Sequence, residues 1–218
     1  MADDRHSIAE QQELIADPDE RARREVENGF RQLALAVGII RDHVQDAERP
    51  FKLAPRHILQ LNHAALEGIH AMAGTYRNSP VTISGSKHQP PEAFMIPEEV
   101  AEFCDYVTEN WDRQDGLHLS AYTLWKLNWI HPFADGNGRT ARAVSYVVLC
   151  IKLDGLLPGS PTVPDQIAGD KTPYYKALEA ADTAWLEKKI VNVSELEAML
   201  NAMLAKQLLS VFPSAPED

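Results

Sequence analysis

Residues 131–142 read His-Pro-Phe-Ala-Asp-Gly-Asn-Gly-Arg-Thr-Ala-Arg, and the flanking chain decides how they must sit. Residues 118–130, just before, are apolar on most sides, the pattern of a buried central helix. Just after, Val144, Val147, Val148 and Ile151 recur at helical spacing. Residues 131–138 are therefore a loop feeding a new helix. Gly136 and Gly138 flank Asn137 at that helix's start, where free N–H groups and the positive end of the dipole attract an anion. Glycines let the backbone approach a phosphate closely and form an amide nest. Arg139 and Arg142, three apart, share a face, and two guanidinium forks beside a nest suit a polyphosphate. Asp135 is a lone hard oxygen ligand of the kind that holds Mg²⁺ beside phosphates. His131 is the titratable base of the loop, and Phe133 is expected to plug it into the core. Each residue fits a different part of one phosphoryl-transfer site. The rival readings are a plain helix–loop–helix turn and a metal-dependent hydrolase, and the chain has no His-Glu-x-x-His for the second.

Working outward, the chain reads as all-α, with seven or eight helices. Val26, Phe30, Leu33, Val37 and Ile40 line one face of a helix over residues 20–44. A second helix runs from Pro55 to near Gly74, with Ile58, Leu61, Ala65, Ile69 and Met72 inward. Residues 75–91 differ: Val81, Thr82 and Ile83 are followed by Ser-Gly-Ser, which predicts a small, exposed β-hairpin flap. Helices then resume at Pro97 and at Thr172-Pro173, the latter carrying Tyr174, Leu178, Ala181 and Trp185. Ser194 with Glu197 predicts a capping box for the last helix. The expected organisation is a flexible N-terminus over 1–20, an N-terminal helix over 21–50, a catalytic domain over 51–190, a C-terminal helix over 191–212 and a tail over 213–218.

Composition narrows the function. The chain has 218 residues, with 21 Lys and Arg against 32 Asp and Glu, a net charge of −11. That balance gives no electrostatic footprint for nucleic acid and repels anionic lipid. Residues 143–151 form the longest uncharged apolar run, far short of the roughly 20 residues a bilayer needs. The N-terminus has no basic or apolar signal region, so a cytoplasmic setting is expected, although an effector exported without a signal would look the same. Cys104 and Cys150 are too few for a disulfide framework and read as core residues. His63, His70 and the remaining histidines read as ordinary.

The loop matches the Fic-domain motif, His-x-Phe-x-Asp/Glu-Gly-Asn-Gly-Arg-x-x-Arg, at all eight specified positions. Gly74-Thr-Tyr-Arg77, the flap at 79–88 with its closing His-Gln-Pro-Pro, and residues 174–182, YYKALEAAD, also resemble Fic segments in order and spacing. The likeness covers residues 60–185. The resemblance to the Fic/Doc protein adenylyltransferases implies transfer of AMP from ATP, with Mg²⁺, to a Ser, Thr or Tyr hydroxyl of a target protein, releasing pyrophosphate. By motif position, it implies that His131 takes the hydroxyl proton and Asp135 holds Mg²⁺. Gly136, Asn137 and Gly138 would cradle the phosphates, Arg139 would bind their β/γ end, and Arg142 would meet the γ-phosphate or a regulatory carboxylate. Val81, Thr82 and Ile83 would dock the target by strand addition, and Tyr174 and Tyr175 would lie near the adenine. Asp182 departs from the Asn common there. Residues 24–29, REVENG, resemble the end of the family's inhibitory helix, which makes Glu27 the candidate inhibitory glutamate, expected to reach Arg142. Arg23 stands where the family has Ser or Thr. A separate antitoxin is the alternative to self-inhibition. Phosphate-transferring relatives lack the motif's second glycine, so Gly138 favours AMP. AMP removal, a non-catalytic nucleotide-binding module and a homo-oligomer stay open.

Overall fold

The computed structural model describes residue 5 and residues 7–8, 13–45 and 51–212. The expected tail over 213–218 lies outside them, as do residues 1–4, 6 and 9–12 of the expected flexible N-terminus. The described elements are β1 (Ser7–Ile8), α1 (Pro18–Val44), α2 (Pro55–Leu66), β2 (Thr82–Ile83), a 3₁₀ turn (Ala93–Met95), α3 (Ile96–Glu109), α4 (Gly116–Ile130), α5 (Asn137–Lys152), α6 (Val163–Gly169), α7 (Thr172–Lys188) and α8 (Ser194–Leu209). The fold is all-α. None of these helices is long and apolar enough to cross a membrane.

α4 is the axis of the core. The Asp115 carboxylate caps it by accepting from the His118 N–H at 2.8 Å. Its residues from Leu119 to Leu127 are all buried, including Trp125 and the charged Lys126. Lys126 is tolerated there because its ammonium donates to Glu99 at 2.7 Å and lies 4.1 Å over the Trp129 ring. α5 packs along α4. Two serines let the helices approach: the Ser120 and Ser145 hydroxyls are 2.6 Å apart, and each lies within hydrogen-bond distance of the other's carbonyl. α1 and α2 cover α5, while α3 and α8 cover α4. Cys104 and Cys150 are free and buried.

Five expectations about elements need correction. α2 stops at Leu66, not near Gly74, because Gly68 and Gly74 turn the chain at φ of 73° and 74°. α6, which the sequence did not announce, is closed by a Thr162–Asp165 capping box. The box expected at Ser194 and Glu197 is absent, since α8 has no side-chain cap and Glu197 instead accepts from His118 at 2.7 Å. The flap is not a hairpin folded on itself: β2 pairs antiparallel with β1, so part of the N-terminus expected to be mobile is tied down. Val81 is buried rather than exposed.

The fifth correction concerns α1. Val26, Phe30 and Leu33 are exposed at 62%, 69% and 51%, while Asn28 is fully buried. The Asn28 amide donates to the carbonyls of Ala65 and Glu67 at 3.3 and 2.9 Å. Carbonyls at a helix C-terminus have no partner within the helix, so a polar residue sets which side of this half of α1 faces inward, while farther along Ile40 of the expected stripe is buried.

Candidate active site

His131 ends α4 in the left-handed region, at φ 51° and ψ 59°. Non-glycine residues held there concentrate at functional sites. The imidazole is buried, and that burial pulls its pKa down to about 4. Nδ1 lies 3.3 Å from the Asn128 carbonyl. A carbonyl only accepts, so Nδ1 carries the proton and Nε2 is left as the acceptor. Nε2 meets the Ser7 hydroxyl at 2.8 Å.

The loop is held from three sides. Asn137 accepts from the Phe133 N–H at 2.9 Å and donates to the Phe133 carbonyl at 2.8 Å. Asn62 of α2 donates to the Asp135 carbonyl at 3.1 Å and to Thr140 at 3.2 Å, and accepts from the Gly74 N–H at 2.9 Å. The buried Arg77 donates to the carbonyls of His131, Ser79 and Pro91, which ties the loop to both ends of the flap. Phe133 is buried in the core, as expected. Gly136 stands at φ 76°. A Cβ there would lie 3.0 Å from Leu66 Cδ1 and 3.1 Å from Asn62 Nδ2, so both conformation and space require glycine.

The loop opens into a cavity of about 430 Å³. His131, Asp135, Gly136, Asn137, Gly138, Arg139 and Arg142 line it, together with Tyr174, Tyr175 and Ile83. Val81, Thr82 and Glu27 do not. Tyr174 is a core aromatic as well as a wall, and its hydroxyl accepts from Asn128 at 2.7 Å. The Arg5 guanidinium covers Tyr175, 4.3 Å from the ring centroid. Asp182 accepts from the Trp125 indole at 2.9 Å, and burial raises its pKa.

Glu27 is exposed and pairs with Arg24 on its own helix at 3.6 Å. The α1 carboxylate brought to the motif is Glu25, which lies 3.5 Å from Arg139. Residues two apart on a helix point about 200° away from each other, so only one of the two glutamates can face the loop. Charges alternate around a ring here. Asp135 meets Arg139 at 3.1 Å and Arg21 at 3.6 Å, while Glu25 meets Arg139 and, at 3.4 Å, Arg21. Arg21, Glu25, Asn62, Asn128 and Ser7 were not singled out from the sequence. Their partners in the motif lie far along the chain, apart from the short-range tie of Asn128 to His131.

Comparison with known proteins follows the same lines. The Fic/DOC family model matches residues 52–149. A protein from Nematostella vectensis named protein adenylyltransferase Fic is 30% identical over 127 residues, which is 57% of this chain and 28% of that protein. This chain therefore spans less than a third of that relative. A solved Fic-1 fragment from C. elegans superposes with a TM-score of 0.66 at 18% identity, over 89% of this chain and 52% of that one. The BepC protein of Bartonella tribocorum, solved with bound AMPPNP, superposes with a TM-score of 0.54 at 13% identity, over 87% and 88% of the two chains. The architecture is that of the solved Fic-domain structures, and motif and family match agree that residues 52–149 are a Fic domain of the Fic/DOC family.

Proposed function

We propose that this chain is a protein adenylyltransferase that transfers AMP from ATP to a hydroxyl side chain and releases pyrophosphate. One observation carries the reading: a neutral imidazole whose unprotonated Nε2 already faces a hydroxyl at 2.8 Å, at the edge of a cavity lined by Arg139, Arg142 and the N-terminus of α5. His131 takes the proton from the attacking hydroxyl, a role worth on the order of 10²–10⁴-fold. Gly136 and Gly138 let the α5 amides approach phosphate, and Arg139 and Arg142 neutralise it. Asn137 serves by stapling the loop, since its side chain is already bonded to Phe133 on both sides. The nucleotide-bound BepC supports ATP as the donor.

Among the described residues no cluster of three or more His, Cys, Asp or Glu side chains could hold a metal by itself. The lone Asp135 carboxylate fits Mg²⁺ carried mainly by phosphate oxygens, where the ion would neutralise phosphate charge. Glu25 and Asp135 hold Arg139 in the ring described above, so a polyphosphate must displace carboxylates before it can reach that guanidinium. We take this as self-restraint, with Glu25 in the role expected of Glu27.

The test is incubation with α-labelled ATP, Mg²⁺ and lysate. Protein acquires label, and His131→Ala removes it while nucleotide binding survives. Label arriving from γ-labelled ATP instead would identify a kinase-like transfer.

A further inference from the structure

Arg5 and Ser7 line the cavity that holds the motif. β1 lies antiparallel to β2, with Ser7 opposite Ile83 and Ile8 opposite Thr82. Upstream, the Arg5 N–H donates to the Tyr175 hydroxyl at 3.2 Å, and the Arg5 guanidinium pairs with Glu179. Downstream, the Leu14 N–H donates to the Ile69 carbonyl at 2.8 Å, and Glu13 bridges to His70. The segment is thus held on both sides of Ser7 and registered by a strand in the middle. That is how an extended target would be presented to a sheet edge: main-chain bonds set the position and one side chain enters the pocket.

The hydrogen bonds also fix where the Ser7 proton points. The Phe133 N–H donates to Asn137 Oδ1, so Asn137 Nδ2 is a donor, and it lies 3.2 Å from Ser7 Oγ. Ser7 Oγ accepts there, which leaves its O–H to donate to His131 Nε2. A hydroxyl that merely filled space would need neither the strand pairing nor this polarity.

We propose that Ser7 is a modification site of this protein, adenylylated in cis by the site it covers. The inference rests on the adenylyltransferase reading. In the step, Ser7 Oγ attacks the α-phosphorus of ATP and its proton passes to His131 Nε2. The new Oγ–P bond replaces the bridging bond between the α- and β-phosphates, and pyrophosphate leaves with that electron pair. The Arg5 side chain must swing off Tyr175 if the base is to lie there, while the backbone bonds of β1 can persist. External targets and β1 compete for the same β2 edge.

The experiment uses the full chain with α-labelled ATP and Mg²⁺, with and without lysate, as wild type and as Glu25→Ala to relieve restraint. We expect one AMP per chain, mapped to Ser7 by peptide fragmentation, at a rate per molecule unchanged by dilution. Ser7→Ala loses the self-label and Ser7→Thr keeps it. Label on lysate proteins with none on Ser7 in either background overturns the proposal and leaves the transfer reading standing. Label at another residue, or a rate that scales with protein concentration, also overturns it. No label on any protein in either background overturns the transfer reading itself.

Discussion

His131 and Gly136 show how single positions are dictated by what surrounds them. His131 needs a left-handed backbone to end α4 and still turn its ring into the cavity, and Arg77 holds its carbonyl at 2.8 Å. Gly136 needs positive φ and an absent Cβ together. Gly136→Ala should therefore destabilise through two causes. Left-handed backbone costs an L-residue about 1–2 kcal/mol, and contacts at 3.0 and 3.1 Å force Leu66 or Asn62 to shift. For a domain of this size the backbone cost alone lowers Tm by about 2–8 °C. Thermal unfolding of the variant checks this, and an unchanged Tm would mean that the loop relaxes freely. These positions were legible because they lie within twelve consecutive residues of the motif. Asn62 and Ser7 were not, because their bonds to the motif span 73 to 130 positions and no local pattern encodes them.

Among the elements, α1 is the one whose orientation decides which carboxylate reaches the motif. Its face is set by Asn28 capping α2, and that rotation turns Arg21 and Glu25 toward the motif and Glu27 toward solvent. Periodicity alone ranks the stripe of Val26, Phe30, Leu33, Val37 and Ile40 as the buried face, which holds at Ile40 and fails at Val26, Phe30 and Leu33. Those residues instead line an open groove of about 380 Å³ beside α5 and α6. The central helix α4 was readable because its apolar character runs all round it, so no choice of face arose. β2 was readable from its β-branched residues, while its partner β1 offered no comparable signal. Glu25→Ala should leave Arg139 held by Asp135 alone. A half-exposed pair of this kind is worth about 0.2–1 kcal/mol, so ATP should bind up to about 5-fold tighter. A larger rise in turnover than in affinity would show that Glu25 also misaligns the phosphates. Glu27→Ala should change neither, because its partner Arg24 is on the same exposed helix face. Nucleotide titration beside a transfer assay separates the two glutamates, and a response to Glu27→Ala alone would reverse the assignment.

For the whole molecule, the testable property is stability against pH. Two buried imidazoles, His57 in α2 and His131, are each pulled down to about 4 from an ordinary value near 6.5, chiefly by burial. Below 6.5 the unfolded chain takes up both protons and the folded chain takes neither. Their contribution is therefore fully present above pH 6.5 and falls as pH drops toward 4. Each site loses on the order of 1 kcal/mol per pH unit inside that window. Asp182 acts in the opposite sense, because its raised pKa favours the folded state as carboxylates begin to protonate. It therefore opposes the histidines only toward the acid end. Tm should be nearly level from pH 8 to 7 as far as these groups decide it, and should then fall by several degrees between 6.5 and 5. His57 is the better handle, since it lies outside the cavity and accepts the Ala54 N–H at 3.2 Å. His57→Gln keeps an acceptor for that bond and removes one of the two protons taken up on unfolding. The variant's Tm should fall about half as steeply across the window as the wild type's. A wild-type Tm that stays level from pH 6.5 to 5 would show that these imidazoles titrate alike in the folded and unfolded chains, and a variant that falls just as steeply would show it for His57.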